Sequence, residues 1–212
     1  MASVAPIAEQ FREAEQQRTA DSLGMWLFLV SEVMLFSGLF MTLIFYRVGY
    51  PEAAKEASVH FSWQLGGINT AVLLTSSFTM AAAVAAARHG LSRWAVRCLL
   101  ATVAFGIVFL IVKGIEYGVD IDGGLLPGSA PSEPLKHPAA QIIVNLYYVS
   151  TALHALHLFS GIVMVSGLAW RIDRDRALLP ERAVTVEMMG LYWHFVDVVW
   201  VFLYPTLYLL GR

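Results

Sequence analysis

The stretch SLGMWLFLVSEVMLFSGLFMTLIFY, residues 22–46, carries a single charged side chain, Glu32. It shows neither the alternation of a half-buried strand nor the polar stripe of a water-facing helix. About twenty apolar residues of helix cross the roughly 30 Å hydrocarbon core of a bilayer. Lipid offers no water to unpaired backbone groups, so only a helix or a closed barrel crosses it, and a run this long and non-alternating predicts a helix. Four more stretches pass the same test: residues 66–87, uncharged; 94–115, with fifteen uncharged positions between Arg97 and Lys113; 141–170, without Asp, Glu, Lys or Arg; and 188–210, with His194 and Asp197. The third is the shortest, so its two flanking cations are expected to reach along the helix to the interfaces. The expected fold is all-α, an integral membrane bundle of five transmembrane helices over residues 22–212, preceded by a polar segment at 1–21.

Composition agrees. Of 212 residues 58% are hydrophobic and 14% charged, against about 45–50% and 25% in soluble domains. The net charge of −2 gives no basic field for nucleic acid, and no polybasic run marks an anionic-lipid anchor. A single cysteine, Cys98, forms no intrachain disulfide and does not hold a metal centre alone. The first twenty residues lack the basic start, apolar stretch and cleavage site of a secretory signal, so the first membrane helix is expected to be retained as its own insertion signal.

Outside the spans, Arg12, Arg18, Arg88, Arg93, Arg97, Arg171, Arg174, Arg176 and Arg182 fall on one side, and Arg47, Lys55, Lys113, Lys136 and Arg212 on the other. Nine cations against five predict a cytoplasmic N-terminus and a C-terminus on the outer, periplasmic side. Trp26, Trp63, Trp94, Trp170 and Trp193 stand near predicted helix ends and read as interfacial anchors. Residues 120–138, rich in Gly and Pro, read as an irregular outer connector.

Helices in lipid meet through small residues and interhelical polar contacts. Gly24, Ser31 and Gly38 recur at steps of seven on the first span, and Asn69, Ser76 and Ala83 on the second. Both stripes are expected to be packing seams, with a docking face for another subunit as the alternative.

An ionisable group near the bilayer centre costs several kcal/mol by most scales, so each needs a partner or a purpose. Glu32 reads either as a neutral carboxyl bonded to a neighbouring helix or as a proton-exchanging one. Asp197 follows His194 by one turn, a spacing that lets the two pair on one face. Lys113 and Glu116 have the same spacing near the outer interface, and read as a solvated helix end with a lipid-phosphate contact as the alternative. His154 and His157 share a face. A haem clamped from two helices by His154 and His194 is the alternative reading, but no haem-attachment signature or Cys/His zinc spacing is present, and hydrogen bonding between helices is the favoured role.

These residues lie in runs that resemble cytochrome c oxidase subunit III: GMWLFLVSEVMLFSG (24–38), NTAVLL (69–74), IEY (115–117), ALHALHLFSG (152–161) and YWHFVDVVWVFLYPTLYLLG (192–211). The resemblance implies the short, five-helix form of a subunit without redox cofactors or catalytic residues. Haems and copper would lie in partner subunits: subunit I, on which this chain docks, and subunit II. It implies stabilisation of the catalytic subunit, support of proton uptake and oxygen access, and bound phospholipid. Glu32 matches the family's carbodiimide-reactive carboxyl. Asn69, Glu116, His154, His157, His194 and Asp197 fall at its recurring polar positions, which pack the bundle and line a lipid cleft; Lys113 stands where a neutral residue is more usual. The alternatives are subunit III of a quinol oxidase, a related chain of nitric oxide reductase clusters, a haem-binding membrane oxidoreductase and, least favoured, a transporter.

Overall fold

The computed structural model describes residues 14–59, 61–122, 135, 137–175, 179 and 183–209. Among them every regular element is helical: α1 (Ala14–Gly49), the short α2 (Pro51–Val59), α3 (Trp63–Arg88), α4 (Ser92–Asp122), α5 (Pro138–Arg174) and α6 (Ala183–Tyr204), which passes into a π-turn at Pro205–Leu209. Five are long and apolar enough to span a bilayer, all but α2. The protein is a multi-pass membrane bundle.

Helices α3, α4, α5 and α6 form a ring, each packed against two of the others, and α1 leans on α5 and α6 from outside. The turn between α3 and α4 is set by Gly90. Its φ of 70° is the left-handed conformation that glycine alone adopts without penalty. Leu91 N–H then reaches the Ala86 carbonyl at 2.9 Å and Gly90 N–H the Ala87 carbonyl at 3.1 Å, which satisfies the last carbonyls of α3 as a Schellman cap. The ring closes around large aromatic side chains seated in glycine gaps. The Trp193 indole lies between Gly106 of α4 and Gly161 of α5, where an added Cβ would stand 3.0 Å and 3.2 Å from it. Gly66 admits the Tyr204 ring, which a Cβ would meet at 2.7 Å.

Four expectations change here. Trp193 is not an interfacial anchor: it is buried and donates its indole N–H to Ser76 at 3.0 Å, while Trp26, Trp63, Trp94 and Trp170 are exposed. The third span is not short. As α4 it runs on through Lys113, Glu116 and Asp120, because those groups turn into the bundle and find partners there. Residues 120–122 of the expected connector are therefore helical, and 123–134 and 136 lie outside the described residues. The seam Asn69, Ser76, Ala83 is fully buried. The seam Gly24, Ser31, Gly38 faces out of the bundle, and a Cβ at either glycine would meet nothing within 4 Å.

Candidate functional site

Two polar clusters sit within the span-length helices, on different faces of α5. The first joins α1 to α5. His157 Nδ1 lies 2.8 Å from the Leu153 carbonyl, which accepts only, so Nδ1 carries a proton. His157 Nε2 stands 2.9 Å from Glu32 Oε2. One proton lies between them, either on a neutral Glu32 bonded to a neutral imidazole or on an imidazolium paired with a carboxylate. Tyr192 O–H donates to the His157 carbonyl at 2.8 Å and Phe36 sets its ring edge-on to the imidazole at 5.3 Å. The two side chains keep 14% and 15% of their surface open. Glu32 thus has a partner inside the chain and an opening towards the surroundings.

The second cluster lies inside the ring. Lys113 and Glu116, expected at a solvated helix end, are 4% and 3% exposed. All three Lys113 ammonium donors are used: Glu116 Oε2 at 2.9 Å, the Tyr147 hydroxyl at 3.0 Å and the Tyr208 hydroxyl at 2.9 Å. Both phenols donate onward to Glu116 Oε1, at 2.9 Å and 2.7 Å. The rings of Tyr117, Tyr147, Trp200 and Tyr208 surround the ammonium at 5.0–5.6 Å, within cation–π range. Tyr148 donates to Asp120 at 3.0 Å, and Tyr117 shares a hydrogen bond with Thr151. The π-turn takes part too: Pro205 lacks the N–H an α-helix needs, and the opened turn presents the Leu207 carbonyl to the buried Arg47 guanidinium at 2.6 Å. The C-terminal segment is thereby tied to α1, α4 and α5.

His194 and Asp197 do not pair with each other. His194 Nδ1 meets Ser77 Oγ at 2.6 Å, and neither oxygen of the buried Asp197 carboxyl has a hydrogen-bond partner. His154 is fully buried, with Phe109 edge-on at 5.5 Å and Trp200 at 5.1 Å, and neither ring nitrogen has a hydrogen-bond partner; nor does the Asn69 amide. Among the described residues no three His, Cys, Asp or Glu side chains converge as a metal-binding group. The structure brings together Lys113 with Glu116, and Glu32 with His157. It leaves Asn69, His154, His194 and Asp197 outside both clusters.

Tyr147, Tyr208, Ser77 and Arg47 were missed in the sequence. A phenol inside a predicted span needs a partner for its hydroxyl when it is buried, and Tyr147, Tyr148 and Tyr208, all within predicted spans, carried that signal.

The sequence profile of cytochrome c oxidase subunit III matches residues 137–212. The chain is 33% identical over 191 residues to "Cytochrome c oxidase subunit 3" of Synechocystis sp., covering 88% of this chain and 74% of that protein. It is 32% identical over 194 residues to the protein of the same name from Thermostichus vulcanus, covering 90% and 87%. The chain belongs to the cytochrome c oxidase subunit III family. The chain is also 29% identical over 191 residues to "Probable quinol oxidase subunit 3" of Staphylococcus aureus, covering 90% and 89%.

Proposed function

We propose that this subunit III is the cofactor-free third core subunit of a haem-copper terminal oxidase of the cytochrome c type. It lies in the cytoplasmic membrane with its N-terminus inside, docks on subunit I, which carries haems and copper, and has subunit II as a further neighbour. It stabilises the catalytic subunit, holds phospholipid and supports proton uptake and oxygen access without a catalytic residue of its own.

The observation that carries the docking is the outer face of α1. Leu27, Met34, Met41 and Val48 recur at steps of seven and are 64–77% exposed, and Gly24, Ser31 and Gly38 run beside them at the same step. A heptad of large residues flanked by small ones is the pattern on which a second helix packs in lipid. Among the described residues no helix of the chain covers that face. Replacing Gly24 and Gly38 by Leu is expected to release the chain from the solubilised oxidase, while its own thermal unfolding stays unchanged because neither position touches the bundle. Retention of the doubly substituted chain would count against this face as the docking surface. The purified complex is expected to contain a haem-bearing subunit and a copper-binding subunit II; a complex without the latter would favour the quinol type, with which the Staphylococcus aureus relative is named.

Glu32 is the expected target of a hydrophobic carbodiimide, since its carboxyl is open at mid-membrane and shares a proton with His157. Labelling followed by peptide mapping is expected to place the adduct at Glu32 and to lose it in Glu32→Gln. Adducts confined to carboxylates at the bundle ends would refute the assignment.

A further inference from the structure

The groups around the Lys113 ammonium present acceptors to it. Tyr147 and Tyr208 each have one hydroxyl proton, and both donate it to Glu116 Oε1, at 2.9 Å and 2.7 Å. Their remaining lone pairs turn to Lys113 Nζ, at 3.0 Å and 2.9 Å, beside Glu116 Oε2 at 2.9 Å. The Trp200 N–H donates to Thr70 at 3.1 Å, so that indole offers the ammonium its π face, 5.3 Å from the ring centre. Three acceptors thus converge on one point. A primary ammonium matches them with three N–H bonds and a single carbon on the opposite side. A guanidinium spreads its donors in a planar fork instead, and a quaternary ammonium has no N–H at all.

These acceptors are also held by contacts that do not involve the lysine. Phe61 stacks on the Tyr147 ring at 4.1 Å and 17°, which fixes its plane. Tyr208 stands in the π-turn whose Leu207 carbonyl is bound by Arg47 at 2.6 Å. The edge of Phe109 meets Trp200 at 4.8 Å. A site whose walls are set by their own neighbours is preorganised, and its ligand does not have to order them. Aromatic rings grouped around a cation are the arrangement by which proteins recognise ammonium ligands.

We infer that this cage is a binding site for a short primary alkylammonium ion, filled in this chain by one that the backbone itself carries, the Lys113 side chain. Cutting the tether leaves the site. Lys113→Ala removes the atoms from Cγ to Nζ, which are the three carbons and the nitrogen of n-propylammonium. The free ion places its ammonium against Glu116 Oε2 and the two phenol oxygens and restores the charge balance of the cage. No bond forms or breaks. The site is independent of the Glu32–His157 pair and of the electron donor that the oxidase uses.

The test heats the purified oxidase complex carrying Lys113→Ala with n-propylammonium chloride, and mass spectrometry reads the fraction of this chain that stays soluble. The midpoint is expected to lie below that of the parent and to rise by roughly 5–10 °C once the amine exceeds its dissociation constant about a hundred-fold. Tetramethylammonium and sodium chloride at the same concentration are expected to leave it unchanged, and the parent complex, whose site is filled, is expected to ignore all three. Lys113→Arg keeps the charge but is expected to lie below the parent without recovery by the amine. If Lys113→Ala does not assemble, propylamine is supplied to the growing cells and the amount of this chain in the purified complex is read instead, with recovery expected. No response of Lys113→Ala to propylammonium in either format, an equal rise with tetramethylammonium, or an equal rise in the parent would each overturn the site.

Discussion

Glu116→Ala is expected to destabilise the bundle by about 3–5 kcal/mol, the cost of leaving a buried charge without its counter-ion. Lys113 would keep its ammonium inside the ring with two phenols in place of a carboxylate, and Tyr147 and Tyr208 would lose the acceptor to which both donate. The pair is not thereby a net source of stability. Bringing both charges out of water costs about as much as their attraction returns, and two apolar residues of similar volume often do as well or better. The double substitution Lys113→Leu, Glu116→Leu is therefore expected to recover most of the loss. Detergent-denaturation curves of the two variants decide the matter; a single variant as stable as the parent would mean that the ammonium finds another partner or leaves the core.

Trp200→Ala is expected to cost a comparable amount, about 3–5 kcal/mol, for a different reason. Lipid is as apolar as the side chain, so little hydrophobic transfer energy is at stake; the loss is contact. Phe109 packs edge-on to Trp200 at 4.8 Å, the indole N–H donates to Thr70 at 3.1 Å, and His154 and Lys113 rest on its faces. Removing the ring opens a void bounded by α3, α4, α5 and α6. Trp200→Phe, which keeps most of the volume, is expected to cost clearly less in the same measurement. Equal losses would locate the effect in the Thr70 hydrogen bond instead.

The five spans were legible because length and uninterrupted apolarity are physical requirements of the bilayer, visible in any stretch such as residues 66–87. What turns inward was less so. Asn69, Ser76 and Ala83 and Gly24, Ser31 and Gly38 have the same spacing and similar sizes, yet one stripe is buried and the other exposed. Periodicity defines a face of a helix and leaves open which neighbour it meets. Lys113 and Glu116 looked like a helix end because charges usually stop a span; the partners that hold them inside, Tyr147 and Tyr208, come from α5 and the C-terminal π-turn. His194 and Asp197 were read as a pair from their i,i+3 spacing, but α3 brings Ser77 to His194 Nδ1 at 2.6 Å, and the Asp197 oxygens have no hydrogen-bond partner. In each case the decisive residue lies on another helix, at a sequence distance that no local pattern reaches.

The lysine cage also has a history in time. During synthesis Lys113 and Glu116 enter the membrane together, three residues apart. Tyr147 follows Lys113 by 34 residues and Tyr208 by 95. At about 5–20 residues per second, the ion pair of the nascent chain waits roughly 5–20 s for its last phenol. Until then each helical hairpin that emerges adds ligands to a half-quenched charge, so the bundle is expected to lock only when its final span has been threaded.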